Sequence, residues 1–289
     1  MRINTLLLII HKTMTKKYIL YSFLIIMKKC LILLIAFIIA CFCGCNNQPQ
    51  KMTSKSLFDG DHIIKDAVTD ADGNSYDAVK LGEQIWMKTN LKYKGSLSKF
   101  GPDALSDAAC YFEGSNGEIY YNGRAVISGV CPDGWHVPTE NDWNKLERYC
   151  MTKPEYKSGI SDTYIAKALA DSVGWKYYLR PEPEDSNNIA YNPLTTNNAT
   201  GFSARGKGHA LGYDDGNFYF EYEDGERAYF WCSDFSDESH KKLLFRALSY
   251  VEPFLGHYEL FDYYDDLTFQ VNSFEIDNTG LSVRCVKNN

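Results

Sequence analysis

Apolar and polar positions alternate with a period of two through most of the chain after residue 62. Ile63-Ile64 opens the pattern, and Asp70 to Asn74 reads as a turn. Tyr76, Ala78 and Val79 to Leu81 continue it, and Gly82 marks a second turn before Ile85-Trp86-Met87. Short apolar runs separated by turn residues predict a β-meander. Cys110-Tyr111-Phe112 and Ile119-Tyr120-Tyr121 predict two further short strands around Glu113 to Glu118. The period then changes. Trp143, Leu146 and Tyr149/Cys150 recur at helical spacing, and so do Ile165, Ala168 and Leu169. Thr139 with Asp142 resembles a capping box for the first helix, with Asp in place of Glu or Gln. Ser161 or Asp162 is the candidate cap of the second, and Gly174-Trp175 its end. The last third returns to alternation. Phe218 to Tyr222 follows the turn Asp214 to Asn217, and Arg227 to Cys232 follows Glu223-Asp224-Gly225, which reads as hairpins. Residues 243–251 and 267–276 are candidate strands, and Gly280 to Val286 closes the sheet. The pattern predicts an α+β fold: one domain, mainly antiparallel β-sheet, with about two helices.

Residues 1–44 do not fit this pattern. Lys28-Lys29 precede an apolar run from Cys30 to Phe42, followed by Cys43-Gly44-Cys45. A basic start, a short apolar core and a small residue before cysteine form a secretory signal. The ending resembles a bacterial lipobox, which implies cleavage before Cys45 and lipid on its thiol. Phe42 and Cys43 depart from the usual residues at their positions. A second basic and apolar unit, Lys16-Lys17 and Tyr18 to Ile26, lies upstream. Either the signal is long, or translation starts at Met27, which is the better reading. A permanent membrane span needs about twenty continuous apolar residues, and Lys28-Lys29 interrupt the run. Residues 45–60 are polar and read as a tether, with residues 61–289 as the domain. The expected location is the cell envelope, anchored by lipid at the outer membrane or cell surface.

Composition changes the picture only in part. The chain has 289 residues, is 45% hydrophobic and 23% charged, and carries a net charge of −7. Mild acidity argues against nucleic acid as a partner. With 21 tyrosines and 16 phenylalanines, the chain has the rings for a recognition surface, although aromatic-rich β domains also use them for packing. Of nine cysteines, Cys30, Cys41 and Cys43 leave with the signal and Cys45 takes lipid. Cys110, Cys131, Cys150, Cys232 and Cys285 remain, and an odd number leaves at least one thiol free. None is at Cys-x-x-Cys spacing, which argues against zinc ribbons and redox pairs. Cys150, on a predicted helix, reads as a buried apolar residue.

Cys131-Pro132-Asp133-Gly134-Trp135-His136-Val137-Pro138-Thr139 leads into the first helix and Trp143. Pro132 and Gly134 make a tight turn, and Pro138 biases Val137 toward extended geometry. The turn and capped helix predict two tryptophans pointing into one core. This stretch resembles the signature of the Fibrobacter succinogenes major paralogous domain, found in many lipoproteins of the Bacteroidetes and their relatives. Three other segments share the resemblance: Gly73 to Leu91, including Trp86 and Asn90; Gly201-Phe202-Ser203-Ala204; and Leu281-Ser282-Val283-Arg284-Cys285-Val286. A further match is Gly117 to Asn122. Together they span about residues 63–287. The resemblance implies a disulfide between Cys131 and Cys285. An antiparallel β core with two helices, long loops and a disulfide near the termini is, by analogy, similar to C-type-lectin-like domains. The resemblance implies little about activity.

No catalytic residue, metal site or cofactor is predicted. His136 has Glu140 four residues on as a candidate partner, and a structural role bonded to the turn backbone is the simpler reading. Asp70 to Asn74 lacks the glycine and glutamate positions of an EF-hand loop. Arg284, half buried in a closing strand, needs a carboxylate or carbonyl partner. Tyr258, Phe261, Asp262, Tyr263, Tyr264, Asp265 and Asp266 interleave rings with carboxylates and form a candidate sugar- or cation-binding face. Two functions stay open. One is a lipid-anchored module that binds a glycan or a surface protein. The other is an enzyme of the formylglycine-generating or sulfatase-modifying type, whose related fold requires two adjacent reactive cysteines.

Overall fold

Strand Ser75–Leu81 places its side chains alternately on two sides of a sheet. Tyr76 and Ala78 enter one apolar cluster, and Val79 and Leu81 enter another. Period-two geometry requires this. Gln84–Met87 repeats it, with Trp86 beside Val79 and Leu81 and Met87 on the opposite side. Both faces of this sheet are therefore covered. The computed structural model describes residues 63–101, 108–178, 182–191, 193–212, 219–236, 238–256, 260–261, 270–271 and 273–289. All belong to one compact unit.

The expected meander is present as Ile63–Thr69, Ser75–Leu81 and Gln84–Met87, all antiparallel. The sheet continues with Val286–Lys287 and then Trp135–His136. Val286 pairs with Trp86 on one side and His136 on the other. The last strand in sequence is thus an interior strand, between the meander and the signature. A second sheet runs Arg227–Phe235, Lys242–Ser249, Ser273–Glu275. Its first strand alternates in the same way: Ala228, Phe230 and Cys232 join the cluster around Trp86, while Tyr229 and Trp231 join the other. Cys110–Glu113 and Ile119–Tyr121 pair antiparallel as expected, and Ser98–Lys99 adds a parallel strand.

The helices differ from expectation in number and length. Glu140–Met151 has the full capping box, with Thr139 Oγ1 accepting from Asp142 N and the Asp142 carboxylate accepting from Thr139 N. The second predicted helix shrinks to Ala166–Leu169. Neither proposed cap serves it, because Ser161 bonds Thr163 and Asp162 pairs with Lys157. Ala170 turns extended and bridges Ala204, which ends the helix before Gly174. A third helix, Gly123–Ile127, is capped by Asn122. Five residues are too few to show a helical period in sequence.

The hairpin predicted across Glu223 to Gly225 does not form. Tyr219–Tyr222 pairs with His209–Gly212, and Arg227–Phe235 pairs with Lys242–Ser249. Glu223 (φ +61°) and Gly225 (φ +79°) take left-handed backbone angles. Gly206 O then accepts from Gly225 N, and Gly208 N donates to Arg227 O, so a third segment takes the bonds a hairpin would use. Of the aromatic and acidic candidate face, Phe261 lies in the short strand Leu260–Phe261, paired with Gln270–Val271. Tyr258 and residues 262–266 lie outside the described residues, as does Cys45.

Candidate ligand pocket

The signature stretch is a structural junction. Trp135 N donates to Pro132 O at 2.9 Å, and Gly134 sits at φ +78°, which fixes the tight turn. Trp135 and Trp143 do not share one core. Trp135 joins Tyr229 and Trp231, whereas Trp143 lies on the other side of the sheet, 4.7 Å from Trp86 and 5.5 Å from Phe230 between ring centres. His136 takes neither a backbone partner nor Glu140. Its Nε2 is 3.0 Å from Asp142 Oδ2 and its Nδ1 is 2.6 Å from Asn288 Oδ1. Glu140 turns away to Arg246, at 2.8 Å. Burial pushes the Asp142 carboxyl up, but hydrogen bonds from Thr139 and His136 outweigh it and hold the group below its usual range. The histidine therefore steadies the helix cap. Trp135→Ala is expected to cost about 3 kcal/mol through lost burial and a cavity, and His136→Ala about 1–2 kcal/mol through two lost hydrogen bonds. Thermal melts check the order, and a larger loss for His136→Ala refutes the structural reading.

The other signature segments meet elsewhere, at a polar hollow of about 670 Å³. Its floor begins with Arg284. Leu281, Val283 and Cys285 face one apolar cluster, so alternation turns Ser282 and Arg284 the opposite way. The guanidinium lies 4.5 Å from the ring centre of Phe202 and 5.2 Å from that of Phe230. Nε and Nη2 donate to Asn90 Oδ1 at 3.1 and 2.6 Å, and Nη1 donates to the Phe202 carbonyl. Asn90 Nδ2 donates in turn to Glu118, which also accepts from Ser282 Oγ at 2.9 Å. One amide thus links a buried cation to a buried anion. Arg284 is only 2% exposed, where the expectation was half burial. Of the two partner types expected for it, the carbonyl is direct and the carboxylate acts through Asn90. Burial pulls the guanidinium down to about 9, so it stays charged at neutral pH, and burial pushes Glu118 up.

Local backbone chemistry sets the walls. Gly201 (φ +72°) and Ser203 (φ +59°) kink the loop that presents the Phe202 carbonyl. Asn198 ties that loop together, accepting from Ser203 N and donating to Ser203 Oγ. Opposite, Asn116 Oδ1 accepts from Glu118 N and fixes the turn before Glu118. Lys88, Lys92, Arg205 and Lys207 stand around the hollow with Asp77 and Asp171. Sequence reading quoted Asn90 and Gly117 to Asn122 but gave neither Asn90 nor Glu118 a role, and it passed over the lysines. The one available signal was Glu118, an acid leading directly into the apolar run Ile119 to Tyr121.

A family model for the Fibrobacter succinogenes major domain matches residues 79–287, well over half of the chain. The chain belongs to this family. No curated protein and no solved structure matches it. Within the Fibrobacter succinogenes major domain the implied bridge is present: Cys131 and Cys285 are joined, with Cα atoms 6.0 Å apart. Cys110, Cys150 and Cys232 are free and buried. Burial pushes all three thiols up, Cys150 to about 12, which leaves them poor nucleophiles. Among the described residues of the domain, no cluster of His, Cys, Asp and Glu could hold a metal ion.

Proposed function

We propose that this chain is a lipid-anchored module of the cell envelope that binds a polar ligand, a glycan or part of a surface protein, in the hollow above Arg284. The observation that carries the reading is convergence. Asn90, Glu118, Ser203 and Arg284 come from four separate family-like segments, and all of them line this hollow. A packing role alone calls for apolar residues at such positions, because a buried charge pair is a weak source of stability. A hollow of this size falls in the range that takes small ligands, about 300–1,000 Å³. The enzyme reading has less support. It needs two adjacent reactive cysteines, and Cys285 is bridged to Cys131 while Cys232 is a buried free thiol.

Two measurements test the two halves of the proposal. Cys45→Ala is expected to abolish labelling of the expressed protein by a clickable fatty acid, and undiminished labelling removes the anchor. Thr89 is exposed at the hollow, so Thr89→Trp should plug it without disturbing the core. Full-length protein in detergent, screened on a glycan array and against envelope extracts, should lose its hits in Thr89→Trp at an unchanged melting temperature. Hits that survive the plug move the ligand to another face.

A further inference from the structure

The charges around the hollow do not cancel. Asp77 is held by Lys65 at 2.6 Å, and Asp171 by Arg205 at 2.8 Å. Glu118 faces Arg284 through Asn90. Those pairs account for every carboxylate of the lining. Lys88, Lys92 and Lys207 take part in none of these close pairs, although Lys88 acts through space on Asp77 and Lys207 on Glu118. The Lys207 ammonium donates to the Asn116 carbonyl, a neutral group, at 3.3 Å. The lining thus carries five cations, Lys88, Lys92, Arg205, Lys207 and Arg284, against three carboxylates, a positive surplus on one concave site in a chain of net charge −7. A concave wall focuses such a field and draws in anions.

The remaining lining is rich in hydroxyl and amide groups: Ser75, Thr89, Asn116, Asn198 and Ser203. No lining residue is aromatic. A neutral sugar is commonly held by laying its C–H face on an aromatic ring, and this hollow offers no such platform. Recognition here must come from charge and hydrogen bonds. We infer that the ligand is an acidic oligosaccharide, one carrying carboxylate or sulfate groups, with Lys88, Lys92 and Lys207 on its anionic groups and the hydroxyl and amide side chains on its ring oxygens. The inference rests on the binding reading above and narrows it to a chemical class.

The test titrates full-length protein in detergent with three probes: trigalacturonate, a sulfated galactan oligosaccharide that carries no carboxylate, and neutral maltotriose. Either acidic probe is expected to bind at least about tenfold more tightly than maltotriose, and to weaken as salt rises from 0.05 to 0.5 M, since rim charges are screened over about a Debye length. The two acidic arms tell carboxylate from sulfate. The triple variant Lys88→Gln, Lys92→Gln, Lys207→Gln should lose that preference at an unchanged melting temperature. Should the triple variant not fold, the probe comparison and the salt series on the unmodified protein still decide. Maltotriose binding as tightly as the acidic sugars, and lost in Thr89→Trp, overturns the acidic class and leaves the binding module standing. Acidic binding that ignores both salt and the lysines also overturns it. Failure of all three probes overturns it, and with protein hits from the envelope extract blocked by Thr89→Trp, the ligand is a protein segment instead.

Discussion

Arg284→Met is expected to lower stability by about 3–5 kcal/mol, because it strips a buried anion of its counter-charge. Methionine fills much of the same volume between Phe202 and Phe230, so the loss is chiefly electrostatic. Asn90 loses the donor to its carbonyl, and Glu118, at 7% exposure, is left with no cation beneath it. For a domain of this size the melting temperature should fall by roughly 6–20 °C. The pH dependence gives the cause away. Burial already holds the Glu118 carboxyl above its ordinary value of 4.5, and loss of the guanidinium raises it further. A group raised in the folded state favours folding below its unfolded pKa, and that contribution is lost as pH climbs through the folded value. The variant's deficit should therefore grow from about pH 4.5 upward. Adding Glu118→Gln should recover part of the stability and flatten the profile. Melts at pH 5 and pH 8 decide, and a deficit equal at both values sinks the charge-pair account.

Removing the Cys131–Cys285 bridge should cost about as much by a different route. The bridged residues lie 154 apart in sequence. Closing so long a loop in the unfolded chain corresponds to about 5 kcal/mol in the loop-entropy model. Melting in the presence of reductant should drop by roughly 10–20 °C, and Cys131→Ala should reproduce the drop and become insensitive to reductant. The three free thiols among the described residues are buried, so they offer no replacement bridge without unfolding. Peptide mapping that finds Cys131 and Cys285 both free under oxidising conditions removes the prediction.

What was legible in the sequence follows a physical rule. The meander from Ile63 to Met87 and the strands at Cys110 and Ile119 were visible because their alternation is local and the turns between them are marked by glycine and aspartate. The cap at Thr139 was visible for the same reason, since its two hydrogen bonds span three residues. The helix Gly123–Ile127 was not, because its stability comes from packing and one Asn122 cap. The false hairpin at Glu223 to Gly225 shows the opposite failure: the local signal was strong, and Gly206 and Gly208, distant from it in the fold's logic though near in sequence, took its hydrogen bonds. The hollow was hidden for the reason most sites are hidden. Asn90, Glu118, Ser203 and Arg284 lie well apart in sequence, and no spacing within the chain announces that they meet. Only the family resemblance marked their segments, and it marked them without a role.

The segment Thr279–Lys287 has a kinetic consequence. Leu281 bridges Tyr121, Ser282 bridges Phe230, and Val286 lies between Trp86 and His136. Cys285 O accepts from Met87 N, and Val283 O from Leu91 N. A stretch made after nearly everything it touches is the seam of the whole domain. The meander can form early, yet the central sheet keeps an unpaired edge until residue 286 arrives, and the buried pair at Asn90 has no cation until residue 284 does. Folding must then wait for contacts of very large sequence separation, which is the slow kind. Until they form, Trp86, Met87 and Leu91 lie along an open strand edge, and that is the interval in which this chain is most exposed to aggregation and to proteases.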